Sequence, residues 1–191
     1  MRTERHTGIA LVKVKPRAPR PAPRSRKRWN LASRFFSGEG SNETVSTSMR
    51  FTATPEAVWD SMVSYEEVPV RPPLLLRALL PVPIRTEGDK TCAGANVQCV
   101  YEGGSLIKSI TAVEPPHLLE FDVIEQALGV ERCVEAIRGS YRITKVGERT
   151  EVVLSTLYRA YLRPRWLWRP MEQFLGHVFH RHILNGMRES L

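Results

Sequence analysis

An α+β domain is the architecture this 191-residue sequence predicts: one antiparallel sheet, covered on a single face by one long C-terminal helix. Strand-like runs follow one another between residues 96 and 158, separated by turn signals. Paired across those turns, their side chains sort into an apolar set and a polar set. The stretch 165–190 is then the only helical segment long enough to cover the apolar set.

The chain opens on a basic stretch. Residues 1–41 carry 11 Lys+Arg against 2 Asp+Glu, interleaved with Pro16, Pro19, Pro21 and Pro23. The remaining 17 basic and 18 acidic residues nearly cancel, so the net charge of +8 belongs to this stretch. Such a composition buries too little apolar surface to offset its ordering entropy, which predicts a disordered tail ahead of a domain at 42–191. A solvated tail, a nucleic-acid arm, an anchor to an anionic membrane and an organellar transit peptide all fit it, the last drawing on Trp29–Phe36. The near-neutral body argues against nucleic acid as its partner. Cys92, Cys99 and Cys133 form no CxxC pair, which fits a reducing compartment and small apolar core positions rather than a disulfide or zinc framework. No convincing secretory signal is present, and no apolar stretch approaches the ~20 residues needed to cross a bilayer. The expectation is a cytoplasmic protein, or an organellar one if residues 1–41 are a transit peptide.

From Glu43 the period becomes that of a strand, Thr44–Thr52. A helix follows, with Thr54 as N-cap, Pro55 at its first position and Val58, Trp59, Met62 and Val63 at helical spacing. The proline-studded stretch Val68–Ile84 leaves room for one short helix around Leu74–Leu80. A hairpin at Gly103-Gly104 sets Tyr101 opposite Leu106, Cys99 opposite Lys108 and Val97 opposite Ile110. A tight connection at Pro115-Pro116 sets Ile110 opposite Phe121 and Lys108 opposite Val123. A turn at Gly147-Glu148 sets Ile143 opposite Val152, Tyr141 opposite Leu154 and Ile137 opposite Tyr158. All three turns place the apolar residues on one face, and Gln126–Glu131 is a longer link of unfixed register. In the last helix Met171, Leu175, Val178 and His182 form the expected inward stripe, with Phe174, Phe179 and Ile183 beside it.

Three segments carry a resemblance: Phe51-Thr-Ala-Thr-Pro55-Glu-Ala-Val-Trp59-Asp60, Ile110 through Phe121, and Gly139-Ser-Tyr141-Arg-Ile-Thr144 with Thr150-Glu-Val152. In these and in element order, residues 43–190 resemble the START/birch-pollen-allergen superfamily, often called SRPBCC, whose bacterial members include polyketide cyclase/dehydrase and lipid-transport proteins. The resemblance implies a helix-grip fold, a curved sheet holding the last helix around a cavity for a hydrophobic ligand. It carries no universal catalytic motif.

Eight residues are candidate ligand contacts: Tyr101, Lys108, Phe121, Glu125, Glu135, Tyr141, Tyr158 and His182. Glu125 continues the alternation of Phe121 and Val123 towards Lys108, and Glu135 shares a face with Tyr158 through the second hairpin. Buried charges need partners, so these groups either form a polar end to an apolar pocket or lie near strand ends and reach water. His177, His180 and His182 do not share one helix face and there is no HExxH, so no metal is expected. Gly103-Gly104 is a hairpin rather than a phosphate loop, no GxSxG or nucleophile–base pair appears, and no cofactor or catalytic residue is assigned. The expected function is binding, with transport as one form of it, of a small hydrophobic molecule: a lipid, an isoprenoid or an aromatic polyketide. Two alternatives stay open, a cyclase or dehydratase acting in the same cavity, and a membrane- or nucleic-acid-associated module working through the basic arm. Arg71–Arg77 and Leu162–Arg169 are apolar segments flecked with cations, suited to a peripheral membrane contact or to a lid over the cavity.

Overall fold

Turn chemistry and alternation produce the strands as expected, and the pairing shows where the chain bends them. The structure, a computed structural model, describes residues 36–64, 74, 77 and 81–191. Strands β1 (Phe36–Phe51), β2 (Pro83–Glu87), β3 (Asn96–Tyr101), β4 (Gly104–Glu114), β5 (Leu118–Ala127), β6 (Val134–Val146) and β7 (Arg149–Leu162) form one sheet. Its order is β1-β7-β6-β5-β4-β3-β2, antiparallel throughout. Helix α1 (Pro55–Ser64) follows β1, and α2 (Arg165–Glu189) closes the chain. The sheet is curved but not closed, and with α2 it makes a helix-grip fold. The residues before Phe36, and most of the expected Leu74–Leu80 helix, lie outside the described residues. β1 begins ahead of the expected Thr44 because β7 runs on to Leu162, which pairs with Phe36.

The β3–β4 hairpin is two residues tighter than the glycine pair suggests: Tyr101 faces Gly104 and Cys99 faces Leu106. Glu102-Gly103 is the loop, with Gly103 at φ 82°. Gly104 belongs to the strand, since a Cβ there would stand 2.1 Å from the Ala127 carbonyl oxygen. A shift of two leaves every side chain on its expected face. The pairs Ile110–Phe121, Lys108–Val123, Tyr141–Leu154 and Ile143–Val152 are as expected. Three β-bulges in these strands were not. One lies between Ile107 and Lys108, a second between Ile110 and Ala112, where Ala112 meets Glu120, and the third between Ala136 and Arg138, where Ala136 rather than Ile137 meets Tyr158.

The main core gathers Phe51, Val58, Trp59, Met62, Val97, Ile110, Leu119, Ile143, Val152, Leu154, Leu184 and Met187. Thr54 caps α1 through the Ala57 amide at 3.3 Å. Ser61 of α1 donates to the Met187 carbonyl at 3.1 Å and reaches Ser190 Oγ at 2.8 Å, tying both helices together.

α2 is turned by about one residue, near 100°, from the expected stripe. Glu172, His180, His182, Leu184 and Met187 are buried, whereas Met171 and Phe174 are 42% and 56% exposed. The reason is polar. Arg165 forks onto both Glu172 oxygens at 2.8 and 2.7 Å and reaches Glu43 of β1 at 3.2 Å, while Arg169 holds the other Glu43 oxygen at 2.9 Å. Gly176 sits against Val45, where a Cβ would meet the valine methyl at 3.0 Å. Paired charges and a close approach therefore set the helix face, and apolar periodicity alone misplaces it.

A cavity between the sheet and the last helix

The inner face of β3–β7 and the Phe179, His180, Ile183 and Met187 side of α2 line a cavity of about 150 Å³. Its walls are Val97, Leu106, Ile110, Leu119, Leu154 and Met62; Pro83, Arg85, Thr86 and Lys90 complete it on the β2 side. This volume suits a single aromatic ring, since an engineered apolar cavity of about that size takes up benzene.

The polar groups are few and specifically placed. Lys108 projects inward from β4, and its ammonium stands 4.3 Å from the centre of the Phe121 ring. The outer edge of the Phe121 ring packs against Gly139, where a Cβ would come within 2.2 Å of it, and the ring centre is 6.4 Å from that of Tyr141. Cys99, Tyr101 and Tyr141 complete the surroundings of the ammonium. Burial opposes the charge on Lys108, but the interactions with Cys99, Tyr141 and Tyr101 outweigh it and hold its pKa above the usual lysine range. Burial raises the Tyr101 and Tyr141 hydroxyls above the ordinary phenol range despite the nearby lysine, so both remain protonated donors. Among the described lining residues there are three cations, Lys108, Arg85 and Lys90, and no carboxylate.

A second polar group enters from α2. His180 is 2% exposed, with Nε2 at 2.9 Å from Thr156 Oγ1 and Nδ1 at 3.1 Å from Thr47 Oγ1. Thr47 Oγ1 also lies 2.8 Å from His177 Nδ1. A continuous hydrogen-bonded chain thus runs from His177 through Thr47 and His180 to Thr156 on the cavity wall. Desolvation, helped by the charge of His177, pushes the pKa of His180 down to about 4. A base whose folded pKa is lowered favours the fold fully above its unfolded value near 6.5, and that contribution is lost as pH falls towards 4. Thermal midpoints measured between pH 7 and pH 4 should therefore fall, and His180→Gln should flatten part of that slope. A histidine NMR titration showing His180 protonated at pH 6 would contradict this.

Residues 42–190 match the family described as polyketide cyclase/dehydrase and lipid transport. The chain belongs to that family. No curated relative matches it. Among solved structures it is similar to norcoclaurine synthase from Thalictrum flavum in complex with dopamine and hydroxybenzaldehyde, at 13% identity over 91% of this chain and 96% of that one, TM-score 0.53. It is also similar to the ZhuI aromatase/cyclase of Streptomyces sp. R1128, at 13% identity over 78% and 93%, TM-score 0.54. A protein from Mesorhizobium loti aligns at 15% identity over 77% and 95%, TM-score 0.51. At these identities the likeness is one of fold.

Within this family member, four of the eight expected contacts meet at the cavity: Tyr101, Lys108, Phe121 and Tyr141. The other four lie elsewhere. The bulge beside Lys108 pairs Glu125 with Ile107 and turns it to the exposed outer face. The bulge at Ile137 does the same to Glu135, which accepts from the Tyr161 hydroxyl at 2.7 Å and lies 3.8 Å from Arg159. Tyr158 is buried with Val45 and Ala160, its hydroxyl 3.2 Å from Gln173 Nε2, and burial together with Glu172 and Glu43 pushes its pKa up to about 12. His182 is 3% exposed but does not line the cavity, which His180 does in its place. His180, Thr156 and Gly139 are the residues that sequence reasoning passed over. Phe121 facing Gly139 was the signal available, had the β5–β6 register been fixed. Among the described residues no group of His, Cys, Asp and Glu is placed to hold a metal ion, and no helix is long and apolar enough to cross a membrane.

Proposed function

We propose that the chain binds a small aromatic molecule carrying an acidic oxygen, its ring held among the apolar walls and its oxygen placed at Lys108. The observation that carries this is the Lys108 ammonium, set over Phe121 among neutral hydroxyls in a cavity whose described lining holds no carboxylate. A cation so placed has part of its electrostatic need met by ring and hydroxyls, and an anionic ligand oxygen completes it. Tyr101 and Tyr141, as protonated donors, can share that oxygen. The cavity volume favours a ring over the extended chain of a lipid or an isoprenoid. The polyketide side of the family description agrees with this reading.

Benzoate and its neutral isostere benzamide test it by isothermal titration. A charge-assisted contact predicts tighter binding of benzoate by about tenfold or more. Lys108→Met, which keeps the length and apolar stem, should erase that preference while leaving the fold intact. Equal affinities for both probes in the unaltered protein, or a preference that survives Lys108→Met, would overturn the proposal.

A second reading, proton-transfer chemistry in the same cavity, is favoured by one feature. The His177–Thr47–His180–Thr156 chain links the cavity wall to a half-buried histidine, and Thr47 can accept from one ring while donating to the other. A neutral imidazole held in this way is suited to general acid–base work on a ligand whose oxygen is anchored at Lys108.

A further inference from the structure

Thr156 lines the cavity with hydrogen-bonding capacity to spare. Its hydroxyl carries one proton and two lone pairs, and among the described residues its one partner is His180 Nε2 at 2.9 Å. The polar groups on the β2 side are differently placed. Arg85 Nε is bound to Glu87, and Thr86 Oγ1 donates to Cys99 Sγ at 3.9 Å.

The sheet sets Thr156 across from Lys108. Thr156 pairs with Gly139, Gly139 with Phe121 and Phe121 with Ile110, a row running from β7 to β4. Three strand spacings, about 14 Å, separate its ends. Gly139 contributes no side chain to this row, and the outer edge of the Phe121 ring fills that place. Lys108, two residues from Ile110, brings its ammonium to 4.3 Å from the centre of the same ring. The ammonium and the threonine hydroxyl therefore approach Phe121 from opposite sides, with Leu154, Ile183 and other apolar side chains around the gap.

The histidine chain decides what Thr156 can receive. Neutral His180 holds one proton on its two ring nitrogens. When Nδ1 carries it, Thr47 accepts from Nδ1, Thr156 donates to Nε2, and only lone pairs of Thr156 face the cavity. When Nε2 carries it, Thr156 accepts and its own proton is free for the cavity. A ligand hydroxyl, both donor and acceptor, satisfies either arrangement, whereas a carbonyl or ether oxygen satisfies only the second.

We infer that the ligand carries, besides its acidic oxygen at Lys108, a ring hydroxyl at the meta or para position that Thr156 receives. This rests on the reading of Lys108 above and narrows the ligand class to hydroxylated aromatic acids.

Titration calorimetry with benzoate and its 2-, 3- and 4-hydroxy derivatives tests it. The 3- or the 4-hydroxy acid should bind about five- to tenfold tighter than benzoate, the effect of one added hydrogen bond. The 2-hydroxy acid, whose hydroxyl lies against its own carboxylate, should show no such gain. Thr156→Val should erase the gain, and Thr156→Ser, which keeps a hydroxyl, should retain it. Benzamide and its hydroxy derivatives repeat the comparison in Lys108→Met, so that the hydroxyl is judged apart from the cation. A Lys108-dependent preference for benzoate over benzamide, with no hydroxyl gain at either position, would overturn this inference alone. So would a gain that survives Thr156→Val. A hydroxyl gain without any Lys108-dependent preference would instead overturn the reading on which the inference rests.

Discussion

Glu172→Ala should lower the thermal midpoint by roughly 10 °C, the largest stability loss expected from a single polar substitution in this chain. Its carboxylate accepts two bonds from Arg165, and the two side chains are only 6% and 17% exposed. Removing the acid leaves the guanidinium, whose Nε already has no hydrogen-bond partner, with the single 3.2 Å contact to Glu43 as its remaining ion pair. Breaking such a pair from one side costs about 3–5 kcal/mol. For a domain of this size that corresponds to a shift of several degrees per pair of kcal/mol. Replacing both partners, Arg165→Met with Glu172→Met, should recover much of the loss, because no uncompensated charge is then buried. Calorimetry of the single and double variants decides it, and a double variant no more stable than Glu172→Ala would refute the account. The same cluster predicts a response to acid. Burial raises the Glu43 carboxyl, but Arg169 and Arg165 more than reverse this and hold it below the ordinary 4.5. A carboxylate with a lowered folded pKa stabilises above its unfolded value, so this contribution disappears as pH falls below about 4.5.

This cluster also marks the limit of what could be read from the sequence. Alternation across three turns was enough to sort the sheet into an inner and an outer face, because a register error of two residues, such as the one at Gly103-Gly104, preserves the face. Tyr101, Lys108, Phe121 and Tyr141 were legible on that basis. Glu125 and Glu135 were not, since each lies just past a bulge, and one extra residue reverses the face of everything beyond it until the strand ends. On α2 the difficulty was of another kind. A helix that buries Glu172 and His180 while exposing Phe174 defies a hydrophobic count, and only their partners explain it: Arg165 at the start of the same helix, and Thr47 and Thr156, distant in sequence.

The second large effect is expected at a residue with no side chain. Gly139 faces Phe121 across β5 and β6, and a methyl group there would stand 2.2–2.9 Å from three atoms of the ring. The ring cannot remain in place, and Lys108 and Tyr141 limit where it can go. Gly139→Ala should therefore cost about 1–3 kcal/mol as overpacking. It should also drive Phe121 into the 150 Å³ space, abolishing benzoate binding. Phe121→Ala alone opens the space and removes the ring beneath the ammonium. In that background Gly139→Ala should be nearly silent for stability, because the clash has no partner. A double-mutant cycle then gives a coupling of at least about 1 kcal/mol between residues 121 and 139, the size expected for side chains in direct contact. If the two substitutions simply add, Phe121 does not rest on Gly139, and the cavity must be lined differently from the way this structure draws it.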